Sequence, residues 1–151
     1  VQKGVLAGYP LVGLKATLYD GSYHPVDSND MAFQTAARLA YQDGIPKAKP
    51  TILEPIGLLK VTIPDSYLGD VMSDLQGRRA MIMGMDSEAG YQKLMAKIPL
   101  KELSNYSISL SSRTGGRASF TTKFASYELV PNDIQQKLIA EHEAEAKEDD
   151  E

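Results

Sequence analysis

The sequence predicts an α+β chain in three parts. These are an incomplete β/α piece over residues 1–55, a ferredoxin-like βαββαβ domain over 56–130, and a C-terminal helix with an acidic tail over 131–151. Three observations carry this reading. Between 56 and 130 the patterns run strand, helix, strand, strand, helix, strand, which is the split βαβ order. A chain of 151 residues, 42% hydrophobic and 24% charged, suits one ordinary domain or two small ones. The first 55 residues offer one strand pattern and one helix pattern, too few to bury both faces of a sheet. The missing elements are expected before Val1, and a first residue that is not Met agrees with a piece of a longer protein.

In the first part, residues 11–19 (LVGLKATLY) alternate, with Leu14, Ala16 and Leu18 on one face and Lys15, Thr17 and Tyr19 on the other, predicting a strand. Asp20-Gly21-Ser22-Tyr23-His24-Pro25 is a loop, because Gly favours a turn and Pro25 disfavours helix before it. Asp27 or Ser28 then caps a helix carrying Ala32, Phe33, Ala36, Ala37 and Ala40 at helical spacing, stopped by Asp43-Gly44-Ile45-Pro46.

In the second part, Leu59, Val61 and Ile63 line one face of a strand. Pro64 and Asp65 open a helix with Leu68, Val71, Met72 and Leu75 at i, i+3, i+4 and i+7. Residues 80–86 and 91–98 read as strands joined by the turn Asp86-Ser87-Glu88-Ala89-Gly90. Pro99 starts a less regular helix with Leu100, Leu103 and Leu110. A last strand, 117–127, alternates Phe120, Thr122 and Phe124 with Thr121, Lys123 and Ala125.

The third part opens at Pro131-Asn132-Asp133, and Ile134, Leu138 and Ile139 supply a docking face; beyond Glu141 a fraying, solvated end is expected. Charge is unevenly spread. The whole chain is formally −4, but residues 141–151 hold seven acids and one lysine, or −6, so the first 140 residues carry 15 basic and 13 acidic groups, or +2. The acidity therefore belongs to the tail and does not exclude a nucleic-acid partner for the body.

Several chemistries find no support. There is no cysteine for a disulfide, thiolate metal site or nucleophile. No G-x-x-x-x-G-K-[ST] phosphate loop and no G-x-S-x-G elbow occurs. His24 and His142 have no ligand-spaced partners, so no metal site is expected. The position after the first strand of the ferredoxin-like part reads Pro64-Asp65-Ser66-Tyr67, where an acid would repel a phosphate. No catalytic residue and no signal peptide are therefore expected, and the sequence holds no apolar run long enough to cross a bilayer.

For RNA, the strands 80–86 and 91–98 lack the stacking aromatics of an RNA-recognition sheet. Their Met81, Met83, Leu94 and Met95 read as core filler, which leaves loops and helix ends to make contact. The loop Asp20–Ser28 mixes Gly, Ser, Tyr, His and Asp, suited to hydrogen bonding and stacking, and equally to a capped turn before a helix. Arg78 and Arg79 end a helix, while Arg113, Arg117 and Lys123 flank the turn Gly115-Gly116. These cations suit phosphate contacts, although the helix dipole alone also favours Arg78 and Arg79 where they stand.

A more specific likeness follows from the order of motifs. Gly4-Val5-Leu6-Ala7-Gly8-Tyr9-Pro10, Tyr19-Asp20-Gly21-Ser22-Tyr23-His24, Val26-Asp27-Ser28, Met31-Ala32-Phe33, Lys47-Ala48-Lys49-Pro50 and Leu53-Glu54-Pro55 resemble the latter part of the fourth domain of elongation factor G. That is a ribosomal-protein-S5-domain-2-like fold. Gly69-Asp70-Val71, Asp74-Leu75, Arg78-Arg79, Pro99-Leu100, Thr114 and Gly116-Arg117-Ala118-Ser119 resemble its ferredoxin-like fifth domain. The likeness runs to about Ile139.

The resemblance implies a ribosome-dependent translocase, cytoplasmic and monomeric, that binds GTP and Mg in an N-terminal domain outside this sequence. It implies that Gly21, Ser22, Tyr23, His24, Asp27 and Ser28 belong to a tip near tRNA and mRNA. It also implies that Arg78, Arg79, Arg113 and Arg117 face ribosomal RNA beside the stalk-base proteins. The chain departs from the family pattern: Ser111 stands where Arg is usual, Gly115 where Lys or Gln is usual, Gly77 replaces a basic residue, and Ser73 and Ala80 replace glycines. Weaker attraction to ribosomal RNA, or a paralogue acting in ribosome recycling or protection, agrees with those losses. A free-standing ligand-binding domain is the remaining alternative, and it requires an apolar pocket with converging polar groups.

Overall fold

The computed structural model describes residues 2–148 and divides them into two compact units, one formed by the chain up to Ile52 together with the chain from Val130, the other by Leu53–Leu129. The second unit holds the sheet. Strand β1 (Leu53–Pro64) leads through a 3₁₀ turn, Asp65–Tyr67, into helix α2 (Leu68–Gly77), counted after helix α1 (Asp30–Lys47) of the first unit. Strands β2 (Met81–Glu88) and β3 (Tyr91–Pro99) form a hairpin. A 3₁₀ turn (Leu100–Leu103), helix α3 (Tyr106–Thr114) and strand β4 (Ser119–Leu129) follow.

All pairings are antiparallel and the strand order is β2-β3-β1-β4. That is the order expected of a split βαβ, because each helix carries the chain over one strand position before it returns. Alternation decides which face is covered. Leu59, Val61 and Ile63 of β1 and Leu94 and Ile98 of β3 point to the same side, where they meet Val71 and Leu75 of α2 and Tyr106 and Leu110 of α3. Each such fully buried aliphatic side chain contributes roughly 1.5–3 kcal/mol, so this layer is the main stabilising core of the unit. Phe120 packs edge-on against Tyr106 with ring centroids 5.0 Å apart.

Local departures from the sequence reading have local causes. The hairpin turn is only Ala89-Gly90, with φ of 52° and 83°. Two successive left-handed residues twist the turn with the strands and let both strands run to its edge. The irregular helix after Pro99 is broken at Asn105 (φ 58°) into the 3₁₀ turn and α3. The expected core methionines are not core. Met81 is 65% exposed and Met95 40%, with Met83 and Met85 also exposed. A bulge between Ile82 and Gly84 shifts the register so that Met81 opposes Lys97 on the uncovered face and Met85 lies on an edge strand. Leu94 alone of that group is buried.

In the first unit the expected strand over 11–19 does not form; these residues have no strand pairing. Leu18 and Tyr19 are each 94% exposed. Alternation can only propose a strand, and a strand needs a neighbour to take its backbone hydrogen bonds. The cap of helix α1 lies one residue beyond Ser28 and two beyond Asp27. Asn29 is the cap, its side chain accepting from Ala32 N at 2.8 Å, while Ser28 serves the loop. The helix also runs through the expected stop to Lys47. Pro46 sits in the last turn, where little helix remains to be interrupted, and Lys47 pairs with Asp43 at 2.8 Å along the same turn.

Helix α4 (Asn132–Glu148) belongs to this first unit. Val130 N donates to Ile52 O at 3.0 Å and Ile52 N to Gln135 Oε1 at 3.3 Å. Ile134, Leu138 and Ile139 are half-buried on its docking face. The helix continues well past Glu141, where a fraying end was expected, because Glu and Ala are good helix formers. The remainder of the acidic tail, residues 149–151, lies outside the described residues.

Candidate nucleic-acid interface

Two groups of residues bear on RNA contact, one in each unit. The loop between Asp20 and Asn29 is closed by its own hydrogen bonds. Asp20 Oδ1 accepts from Gly21 N at 2.8 Å, Ser28 Oγ accepts from His24 N at 2.7 Å, and Ser28 N donates to His24 O at 2.9 Å. Ser28 thus ties both ends of the turn 24–28 together, just before Asn29 starts α1. This is the capped turn of the plainer sequence reading. What it presents is nonetheless unusual for a turn: Tyr23 and Val26 are exposed, beside the exposed Leu18 and Tyr19.

His24 Nδ1 has two competing uses. It lies 3.3 Å from Val26 N, from which it accepts when Nδ1 carries no hydrogen, and 3.3 Å from Asp27 Oδ2, to which it donates when Nδ1 carries one. One atom cannot serve both at once, and both side chains are largely exposed, so either contact contributes little. Nε2 has no partner among the described residues. The turn therefore orients an imidazole edge, a phenol ring and a carboxylate toward solvent, a set able to stack on a base and to hydrogen-bond its edge or a ribose hydroxyl.

The arginines divide differently from the sequence expectation of a common phosphate-facing set. Arg78 is turned into its own unit. Nε lies 3.2 Å from Asp74 Oδ2, Nη1 donates to the carbonyls of Glu102 and Ser104, and the guanidinium lies 5.1 Å from the Tyr106 ring centroid. Arg79 makes a two-point pair with Glu54. Arg113 reaches Asp74 Oδ1 at 3.4 Å and remains partly exposed. Arg117 is exposed and its side chain has no ion-pair partner among the described residues. The carboxylates that hold three of the four, Asp74 and Glu54, were not apparent from the sequence as partners. Asp74 serves Arg78 at i+4 and Arg113 across the fold, and Glu54 is distant from Arg79 in sequence.

Among the described residues no group of three or more His, Asp and Glu side chains is arranged to hold a metal, and no helix is long and apolar enough to cross a membrane. What the interface offers is groups suited to recognition by hydrogen bonding, stacking and charge.

Two family models match this chain. One, described as "Elongation factor G C-terminus", matches residues 51–138, and one described as "Elongation factor G, domain IV" matches residues 1–49. The fold is also that of a crystal structure of a protein from Thermus thermophilus. The match has a TM-score of 0.79 and 45% sequence identity, and covers 95% of this chain and 22% of that one. The chain thus spans about a fifth of the length of that relative.

Proposed function

The chain belongs to the elongation factor G family, and we propose that it is the ribosome-contacting C-terminal part of a translational GTPase that moves tRNA and mRNA. In this reading GTP and Mg are bound by an N-terminal domain of a longer, cytoplasmic, monomeric protein. The residues of this chain bind RNA and break no bonds. Gly21, Ser22, Tyr23, His24, Asp27 and Ser28 meet tRNA and mRNA in the decoding region. The unit 53–129 meets ribosomal RNA near the stalk-base proteins, with Arg117 and the exposed edge of Arg113 as its arginine contacts.

The observation that supports this most is the loop at 20–28. Its internal hydrogen bonds are satisfied by Asp20, Ser28 and the backbone, which frees Tyr23 and the Nε2 edge of His24. A turn needed only for capping requires no exposed aromatic. Arg78 and Arg79 act in the same reading as internal ties that hold the end of α2.

Co-sedimentation with ribosomes tests the reading. The chain is expected to pellet with ribosomes at low ionic strength and to be released as salt rises, because phosphate contacts displace counterions. Absence of association at low ionic strength would overturn it.

A further inference from the structure

We propose that the uncovered face of the four-stranded sheet binds an RNA phosphate backbone through Lys60, Lys97 and Lys123. The proposal rests on the ribosomal reading above and assigns it a surface that neither the loop nor the arginines supply.

The register places side chains on this face in three rows across the strands β2, β3, β1 and β4. The first row is Met81, Lys97, Leu58, Lys123. The second is Gly84, Met95, Lys60, Thr121, and the third is Asp86, Lys93, Thr62, Ser119. Neighbouring strands lie about 4.8 Å apart and same-face residues about 6.8 Å apart along a strand. Lys97 and Lys123 therefore stand about 10 Å apart at the backbone, with Lys60 midway and one row on, about 8 Å from each. Long flexible stems let three such cations follow consecutive phosphates of one strand.

Their lack of partners is the second observation. Lys60, Lys97 and Lys123 make no ion pair among the described residues, whereas Arg78, Arg79 and Arg113 do. The acids of this face gather at the hairpin end, and Lys93 is engaged there. It pairs with Glu88, whose hydrogen bond and charge raise the lysine's pKa, Asp86 adding to the effect. The first two rows thus carry three cations and no acid.

The pattern also selects the kind of partner. Apolar Met81, Leu58 and Met95 alternate with lysines rather than forming a patch, and the centre of a protein interface is depleted in lysine. Thr62, Thr121 and Ser119 add hydroxyls that donate to phosphate oxygens. No aromatic stands in the three rows, so bases have nothing to stack on and binding is expected to ignore sequence.

The test compares the chain with its Lys60→Gln/Lys97→Gln/Lys123→Gln variant, using a fluorescent RNA duplex of arbitrary sequence and, separately, intact ribosomes. Thermal unfolding checks that the variant folds; if it does not, Lys60→Gln alone replaces it. Removing one lysine–phosphate interaction lowers the slope of log K against log salt by about 0.7–0.9. The triple variant should therefore lose roughly 2–3 units of slope on the duplex, and the single variant just under one unit. Unchanged slope and affinity on both targets overturns the sheet proposal while leaving the ribosomal reading standing. Weaker ribosome binding with an unchanged slope on the duplex also overturns it, since the face then meets protein. If the unaltered chain binds neither target, both proposals fall.

Discussion

Arg79 Nη2 lies 2.6 Å from Glu54 Oε1, and its Nη1 3.2 Å from Glu54 Oε2, so a two-point ion pair joins the end of α2 to the start of β1. Arg79 also closes α2 in a left-handed conformation, φ 62°, with Ala80 N donating back to Leu75 O at 3.0 Å. Glycine is the usual residue there, and any other costs about 1 kcal/mol. Arginine persists where its side chain offsets that cost. Arg79→Ala keeps the strain and leaves the largely buried Glu54 carboxylate unpaired, and should cost roughly 2–4 kcal/mol in denaturant unfolding. Arg79→Gly should be milder by about 1 kcal/mol. Wild-type midpoints for both would show that the pair carries no stability.

Tyr106 is fully buried, and its hydroxyl has no hydrogen-bond partner among the described residues. Burial pushes its pKa up to about 12, with Asp74 adding to the rise and Arg78 opposing it. An unfolded tyrosine ionises near pH 10. The stability linked to this group is therefore complete below about pH 10 and is lost as pH rises from about 10 to about 12. Tyr106→Phe should match or exceed the parent at neutral pH, and should show a flatter decline across that alkaline window. A loss of more than about 1 kcal/mol at neutral pH would mean that the hydroxyl has a partner after all.

Gly57 faces Leu100, so a Cβ at that position would collide with the leucine methyl and approach Lys123 O at 3.4 Å. Gly57→Ala should cost about 1–3 kcal/mol by overpacking. Combining it with Leu100→Ala should cost less than the sum of the two single changes, by at least about 0.5 kcal/mol. Simple additivity in thermal or denaturant unfolding would contradict the contact.

Ser111 is exposed on α3, its side chain has no hydrogen bond among the described residues, and its carbonyl accepts from Gly115 N and, at 3.0 Å, from Gly116 N. Ser111→Arg restores a cation without disturbing those bonds. If α3 faces ribosomal RNA, the variant should bind ribosomes more tightly at low salt, with a slope steeper by just under one unit. Unchanged affinity and slope would place α3 away from RNA.

Much of the sheet unit was legible because its signals are local. Leu59, Val61 and Ile63 alternate, Leu68, Val71, Met72 and Leu75 keep helical spacing, and these patterns alone order β1, α2, the hairpin and β4. What failed depends on partners distant in sequence. The pattern at 11–19 asks for a strand, and no neighbour takes its hydrogen bonds. The methionines looked like core until the bulge at Ile82/Gly84 and the edge position of β2 turned Met81, Met83 and Met85 outward and alternation with Leu94 and Ala96 put Met95 on the uncovered face of β3. Arg78 and Arg79 looked like free cations until folding set Glu54, Glu102 and Ser104 around them. The loop at 20–28 was readable as a candidate from residue types, and its closure by Ser28 was not, since Ser28 was expected to cap the helix.

The most direct test of a tRNA- and mRNA-contacting tip is a paired rate measurement on the full-length factor carrying His24→Ala. Tyr23→Ala serves as a second variant at the same exposed turn. Single-turnover GTP hydrolysis and tRNA–mRNA movement are followed on the same ribosomes. The account predicts slower movement with hydrolysis essentially unchanged, because these side chains lie outside the nucleotide-binding domain. Equal loss of both rates, or no change in either, would contradict it.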